Sequence, residues 1–381
     1  MTASPTVADI FRRYGPGYRA QYADRVPGNH LRVMRDIQRC RTPALGGHLY
    51  ACDHCGKQHL VFHSCRNRHC PTCQFLPTER WIDARQADLL PVPYFHVVFT
   101  IPEELHAIVR SHQRITYDVL FKAATKTLLN LAADPKHLGA KIGFIAVLHT
   151  WTQTLMYHPH IHCIVTGGGP NKDRWIRSRD DYFLPVRVMA RLFRGKFLDG
   201  LRKAEDLPSL DRHTLDHLYK IDWVVYCKPP FGSPKHVLAY LGRYTHRIAI
   251  SNARITDIDN DRIRFRYRDP DRPGQSRSMD LPPSEFLRRF LTHVLPSGFV
   301  KIRYYGLLAN RSRQEDLKRC RRLLLVETPT LSKEPSRWQQ ILLDRTGVDV
   351  SKCPFCEQGK LVLVLIIQPA AERAPPALLT A

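Results

Sequence analysis

No stretch of this chain approaches the roughly 20 consecutive apolar residues that a membrane-spanning helix requires. The run LVLVLII at 361–367 is far too short. The opening MTASPTVADIFRRYGPGYRA lacks the apolar core of a secretory signal, so the expected location is cytoplasmic. No GxxxxGK[ST] phosphate loop occurs, and no internal repeat is visible. Acidic residues are the scarce charge: 35 Asp and Glu face 58 Lys and Arg, giving a net +23 and an isoelectric point near 9.8. That imbalance points to a polyanionic partner such as nucleic acid. The 381 residues suffice for two or three domains. Eleven cysteines, an odd number without a secretory signal, argue for thiols and metal sites rather than disulfides.

Six of those cysteines fall in the first 73 residues. Cys52 and Cys55 form one CxxC, and Cys70 and Cys73 another. Two such knuckles can close a tetrahedral structural Zn²⁺ site with no open position. Cys65, His63 and His69 are surplus candidate ligands, and Arg66, Asn67 and Arg68 between the knuckles are placed to touch phosphates. Near the carboxyl end Cys353 and Cys356 make half a site, complete only if a distant ligand joins, and the composition of QPAAERAPPALLTA predicts a disordered tail.

The segment YHPHIHCIVTGGG (157–169) spaces His158, His160 and His162 by two, which places them on one face of a strand. Such a row is either a polar strand face or a divalent-metal site. A helix over about 77–90, a strand at 91–102, a long helix ending before Pro135, and a strand in IGFIAVLHTWTQTLM surround it. With a following helix within 170–217 and a strand at 222–228, the order β-α-β-β-α-β predicts a ferredoxin-like antiparallel sheet of the α+β class, with the histidines on a central strand. Next, GSPKHVLAYLGRYTHRIAI predicts a helix capped by Ser233, with Pro234 at its first turn and Val237, Leu241 and Ile248 facing the core. His236, Tyr240, Arg243, Tyr244 and Arg247 form another stripe, and the two tyrosines are one turn apart. The expected domains are a zinc module at 1–90, a catalytic domain at 91–270 and a basic region at 271–381.

The histidine strand with its glycines, the paired tyrosines in SPKHVLAYLGRYTHRIAISN, the cysteine cluster, SCRNRHCPTCQ and RYYGLLANRSR together resemble the IS91 family of bacterial insertion-sequence transposases. These are rolling-circle enzymes of the two-tyrosine HUH endonuclease class, named for a histidine, bulky hydrophobic residue, histidine motif. The resemblance implies an HUH nuclease core in which His160 and His162 bind Mg²⁺ or Mn²⁺. Gln153 is expected as third ligand, with His149 and His158 as alternatives. It further implies that Tyr240 and Tyr244 attack single-stranded DNA of element ends and target, leaving the 5′ phosphate on tyrosine. Arg243, Arg247, Arg303, Tyr304 and Tyr305 are the expected DNA contacts, and the expected setting is the bacterial nucleoid. A replication initiator or relaxase would share the nick, whereas a noncatalytic zinc-containing DNA-binding regulator would leave the histidines and tyrosines idle.

Overall fold

The structure, a computed structural model, describes residues 4–228, 236, 237, 240, 242, 248–269, 272, 274–327 and 338–370. Tyr244, Arg243, Arg247, Ser233, Pro234 and Leu241 of the predicted tyrosine helix, and most of the predicted tail, lie outside the described residues. In chain order the elements begin with α1 (Val7–Gln21), α2 (Gly28–Arg39), β1 (Gly47–Cys52), β2 (Gln58–Phe62) and α3 (Phe75–Gln86). Then come β3 (Tyr94–Thr100), α4 (His106–Ser111), α5 (Gln113–Ala133), β4 (Gly143–Trp151) and β5 (Tyr157–Thr166). A short hairpin of β6 (Gly168–Asn171) and β7 (Arg174–Arg177) precedes α6 (Val186–Arg202), α7 (Arg212–Lys220) and β8 (Val225–Lys228). The last strands are β9 (Ile255–Ile258), β10 (Ile263–Arg268), β11 (Ser276–Leu281), β12 (Ile302–Gly306) and β13 (Leu361–Ile367). Among the described residues no helix is long and apolar enough to cross a membrane.

The chain divides into two compact units that do not follow the expected boundaries at 90 and 270. One unit gathers the described residues of Met1–Arg80, Ile250–Arg288 and Glu334–Ala381. The reason is visible in strand pairing. β1 pairs with β2 on one side and with β13 on the other, so the amino-terminal hairpin is completed by a strand from the far end of the chain. A strand edge left open would present unpaired backbone groups. β9, β10 and β11 form a separate antiparallel sheet in the same unit. Its α1 opens on a capping box: Asp9 N–H donates to the Thr6 hydroxyl, and the Asp9 carboxylate accepts from Thr6 N–H at 2.9 Å.

The second unit, the described residues of Trp81–Ala249 and Arg289–Lys333, carries a five-stranded sheet in the order β12-β4-β5-β3-β8, with every neighbouring pair antiparallel. The expected succession of strand, helix, strand, strand, helix, strand occurs here as β3, α5, β4, β5, α6 and β8, and β5 is the central strand. Alternation gives the sheet two apolar faces. On one, Phe99 meets Phe193 of α6 with ring centroids 5.0 Å apart. On the other, Tyr94, Ile145, Val147 and Ile164 pack with Val237, Leu307 and Leu317, and Tyr240 rests against this cluster. The glycines after β5 allow close backbone approach: a Cβ on Gly169 would collide with the Lys141 carbonyl.

Candidate active site and metal centres

The strand pattern delivers imidazoles to the same sheet face as Tyr240. His149 on β4 is the direct antiparallel partner of His160 on β5, and His162 follows two residues later on the same face. His149 Nδ1 lies 3.1 Å from His160 Nε2, which lies 3.0 Å from His162 Nε2. The three candidate ligand atoms are all within 4.8 Å of one another. Two nitrogens each about 2.1 Å from one ion and at right angles would stand about 3.0 Å apart, so the His149–His160 and His160–His162 separations each fit adjacent positions of a six-coordinate divalent ion. All three rings are at most 8% exposed. Burial pushes His160 down to about 3 and holds His149 and His162 well below the ordinary imidazole range, with neighbouring imidazoles and the Lys301 charge adding to the effect on the latter two. At neutral pH the rings therefore offer lone pairs rather than charge. His160 Nδ1 donates to the His158 carbonyl at 2.6 Å, which leaves its Nε2 free of a proton and facing the cluster.

Gln153 and its two alternatives are placed differently relative to His160 and His162. Gln153 lies exposed in the turn beyond β4, whereas His149 stands opposite His160. The register shifts between His149 and Trp151, and Thr152 N–H bonds to Met156 O across the turn, so the connection is wider than a tight reversal at Gln153 requires. His158 shares the strand but is half-buried, and it lies outside the three-nitrogen group.

His96, on β3, is the residue that sequence reading missed. Its Nε2 is 2.8 Å from His162 Nδ1, and the two rings stack within 9° of parallel. The Tyr240 hydroxyl lies 3.3 and 3.4 Å from the two His96 ring nitrogens. Burial lowers His96 to about 4, helped by the Lys228 charge, so it too is neutral. A lone histidine inside the apolar strand YFHVVFT was the available signal. When His162 turns its Nε2 lone pair to the cluster, its Nδ1 carries the proton and donates to His96. His96 is then protonated on Nδ1 and can donate toward the tyrosine oxygen.

The aromatic-basic segment divides between faces because it is a strand. Arg303 forms an ion pair with Asp118 at 2.5 Å and lies over the Phe121 ring, 4.1 Å from its centroid. Tyr305 stacks on Phe144 at 5.2 Å. Tyr304 takes the opposite side, where its hydroxyl accepts from Trp81 Nε1 at 2.9 Å. The expected trio of DNA contacts thus divides between the two sides of the strand, each member with protein partners of its own. Lys301 is the neighbouring cation whose charge reaches His149 and His162.

The cysteines also regroup. Cys52, Cys55, Cys70 and Cys73 do not form one site: Cys70 and Cys73 cluster with Cys40 and Cys65, and Cys52 and Cys55 with Cys353 and Cys356. Sγ separations of 3.6 Å for Cys40–Cys73 and Cys65–Cys73 are far beyond a disulfide bond. They match the edge of about 3.8 Å expected of a tetrahedron with Zn–S near 2.3 Å. His63 and His69 are engaged elsewhere, with the Leu45 carbonyl and the Asn67 side chain.

Comparison with known proteins identifies the family of the chain. Residues 143–316 match a family model described as "Putative transposase", and residues 10–101 match one described as "Transposase zinc-binding domain". The molecule is a transposase, of a class that cleaves DNA and transfers strands. It is 48% identical over 382 residues to "Putative transposase y4qJ" of Sinorhizobium fredii, covering 96% of each chain. It is 28% identical over 313 residues to the transposase for insertion sequence element IS801 of Pseudomonas savastanoi pv. phaseolicola, covering 76% of this chain and 73% of that one. The chain belongs to the IS91 family of transposases. No solved structure matches it.

Proposed function

We propose that this transposase moves DNA by a rolling-circle route, nicking and rejoining single-stranded element ends and target through a 5′-phosphotyrosine on Tyr240 or Tyr244. The observation that carries the reading is the continuous contact from the three-histidine cluster through His96 to the Tyr240 hydroxyl. The strand order with β5 at the centre supports a ferredoxin-like HUH core. His149, His160 and His162 hold the divalent ion, and their all-nitrogen donor set favours Mn²⁺ over Mg²⁺. An ion held by these three rings would supply a Lewis acid for the scissile phosphate, which would offset the weak nucleophilicity of a phenol with an ordinary pKa near 10. The tyrosine oxygen attacks phosphorus and gives up its proton to solvent, the bond to the 3′ oxygen breaks, and that oxygen takes a proton from solvent to leave as a 3′ hydroxyl. His96 orients both His162 and the attacking oxygen. Because the phosphotyrosine conserves the broken ester's energy, a 3′ hydroxyl can reverse the step on a new strand without a nucleotide. A second tyrosine permits a second cleavage while the first remains occupied.

Arg243 and Arg247, one and three positions from Tyr244 in sequence, supply phosphate contacts. The structural zinc serves folding rather than the chemical step, and a DNA substrate places the enzyme at the nucleoid in the cytoplasm. Incubation with a 3′-labelled single-stranded element end and Mn²⁺, followed by a denaturing gel, should show a covalent protein–DNA band that disappears when Tyr240 and Tyr244 are both changed to Phe. A band that persists in that variant overturns the assignment of the nucleophile, and DNA binding without any cleavage favours the noncatalytic regulator.

A further inference from the structure

We propose that Cys52, Cys55, Cys353 and Cys356 bind a second Zn²⁺ ion, which fastens the carboxyl-terminal strand to the amino-terminal hairpin. The matched zinc-binding region at 10–101 contains only half of these ligands. The Sγ atoms of Cys52 and Cys356 are 3.6 Å apart and those of Cys55 and Cys353 are 3.8 Å apart, again the edges of a tetrahedral thiolate site. All four lie within 4.8 Å of one another.

The two knuckles are built alike although about 300 residues separate them. In the first, Gly56 N–H donates to the Cys52 carbonyl; in the second, Glu357 N–H donates to the Cys353 carbonyl. Gly56 at φ 70° and Glu357 at φ 56° turn the chain through the same left-handed conformation, which glutamate adopts only at a cost in strain. The amides of His54 and Cys55 point at Cys52 Sγ at 3.4 Å, and the amide of Phe355 points at Cys353 Sγ at 3.4 Å. Such donors stabilise sulfur that carries negative charge. Gly359 leaves the room: a Cβ there would collide with Cys52 Sγ. Asp53 and Lys360 close the seam, with Asp53 N–H donating to Lys360 O at 3.1 Å and Lys360 N–H to Asp53 Oδ1 at 2.7 Å.

Four sulfurs with no further position make a closed, structural site. On binding, each thiol gives its proton to solvent and the ion stays divalent, so no oxidant or reductant is needed. Four thiolates in a tetrahedron suit zinc or iron, and metal analysis separates the two.

The full chain, purified without added metal, should carry two zinc ions per molecule. The Cys353→Ser Cys356→Ser variant should carry one, and a Cys320→Ser control should keep two. Independently of any variant's folding, site-resolved alkylation of the native protein tests the same point, because Cys55 is exposed and Cys356 half-exposed. Both should resist alkylation until a chelator is added and then react at least about tenfold faster. One zinc ion in both the unaltered chain and the double variant, iron in place of zinc, or free-thiol reactivity at Cys55 and Cys356 before chelation would each overturn the proposal.

Discussion

The histidine centre and the cysteine centres are built on opposite plans. The histidines come from one pair of adjacent strands, only 11 residues apart between His149 and His160. Their rings are held by protein groups, His160 by the His158 carbonyl and His162 by His96. The sheet holds this cluster through protein contacts alone, so an ion of the kind proposed would enter and exchange with little reorganisation. The cysteines are gathered from loops as much as 304 residues apart, as between Cys52 and Cys356. There an ion would itself be a cross-link, and removing it would leave the two knuckles held only by the β1–β13 pairing and the Asp53–Lys360 hydrogen bonds.

The sharpest way to break that contrast is to strip metal. A strong chelator should lower the melting temperature of the cysteine-bearing unit severely, since structural zinc sites of this kind are worth about 10 kcal/mol or more of apparent folding energy. Removal of Mn²⁺ alone should leave circular dichroism and melting of the histidine unit almost unchanged. Equal losses in both units would erase the distinction. Next in size, Tyr240→Phe Tyr244→Phe should eliminate the covalent adduct while Mn²⁺ binding, measured by calorimetry, stays within about twofold, because only hydroxyls are removed.

His160→Ala should reduce nicking by on the order of 10²–10³-fold with the sheet intact by circular dichroism, since the strands do not depend on an ion. Retention of full cleavage would place the ion elsewhere. His96→Ala sharpens the comparison further, because an outer partner is expected to change Mn²⁺ affinity by about 10–100-fold. His96→Asn should recover part of that loss, whereas unchanged affinity would show His96 to be packing alone. The smallest effect is expected at Arg303→Ala: about 1 kcal/mol of stability from the lost ion pair and ring contact, with the salt dependence of DNA binding unchanged. A flatter salt dependence would make Arg303 a phosphate contact after all.

How much of this was legible in the sequence follows the same division. The histidine face and its central strand were readable because strand alternation is a local rule with a period of two. The choice among Gln153, His149 and His158 for a third ligand was open in the sequence, because the bulge and wide turn that set His149 opposite His160 leave no comparably simple sequence mark. His96 was hidden as one polar residue in an apolar strand, and only the pairing of β3 with β5 brings it to His162. Arg303 and Tyr304 looked like neighbours on one surface, although the strand sends them to opposite sides. The cysteine partners could not be paired from spacing, since Cys40 stands outside any CxxC and Cys353 answers a knuckle at the other end of the chain.

The placement of β1 between β2 and β13 also has a consequence for synthesis. β2 leaves the ribosome just after β1, but β13 follows only when roughly 300 more residues have been added, which takes on the order of 15–60 s at ordinary elongation rates. During that interval β1 has one open edge, the kind of template on which other nascent chains add strands. A ribosome that stalls anywhere within the catalytic unit therefore releases a product whose amino-terminal hairpin is still sticky and whose second knuckle is missing. The fold thus ties completion of its first hairpin to translation of the nuclease, and abortive fragments are left as ready substrates for proteolysis.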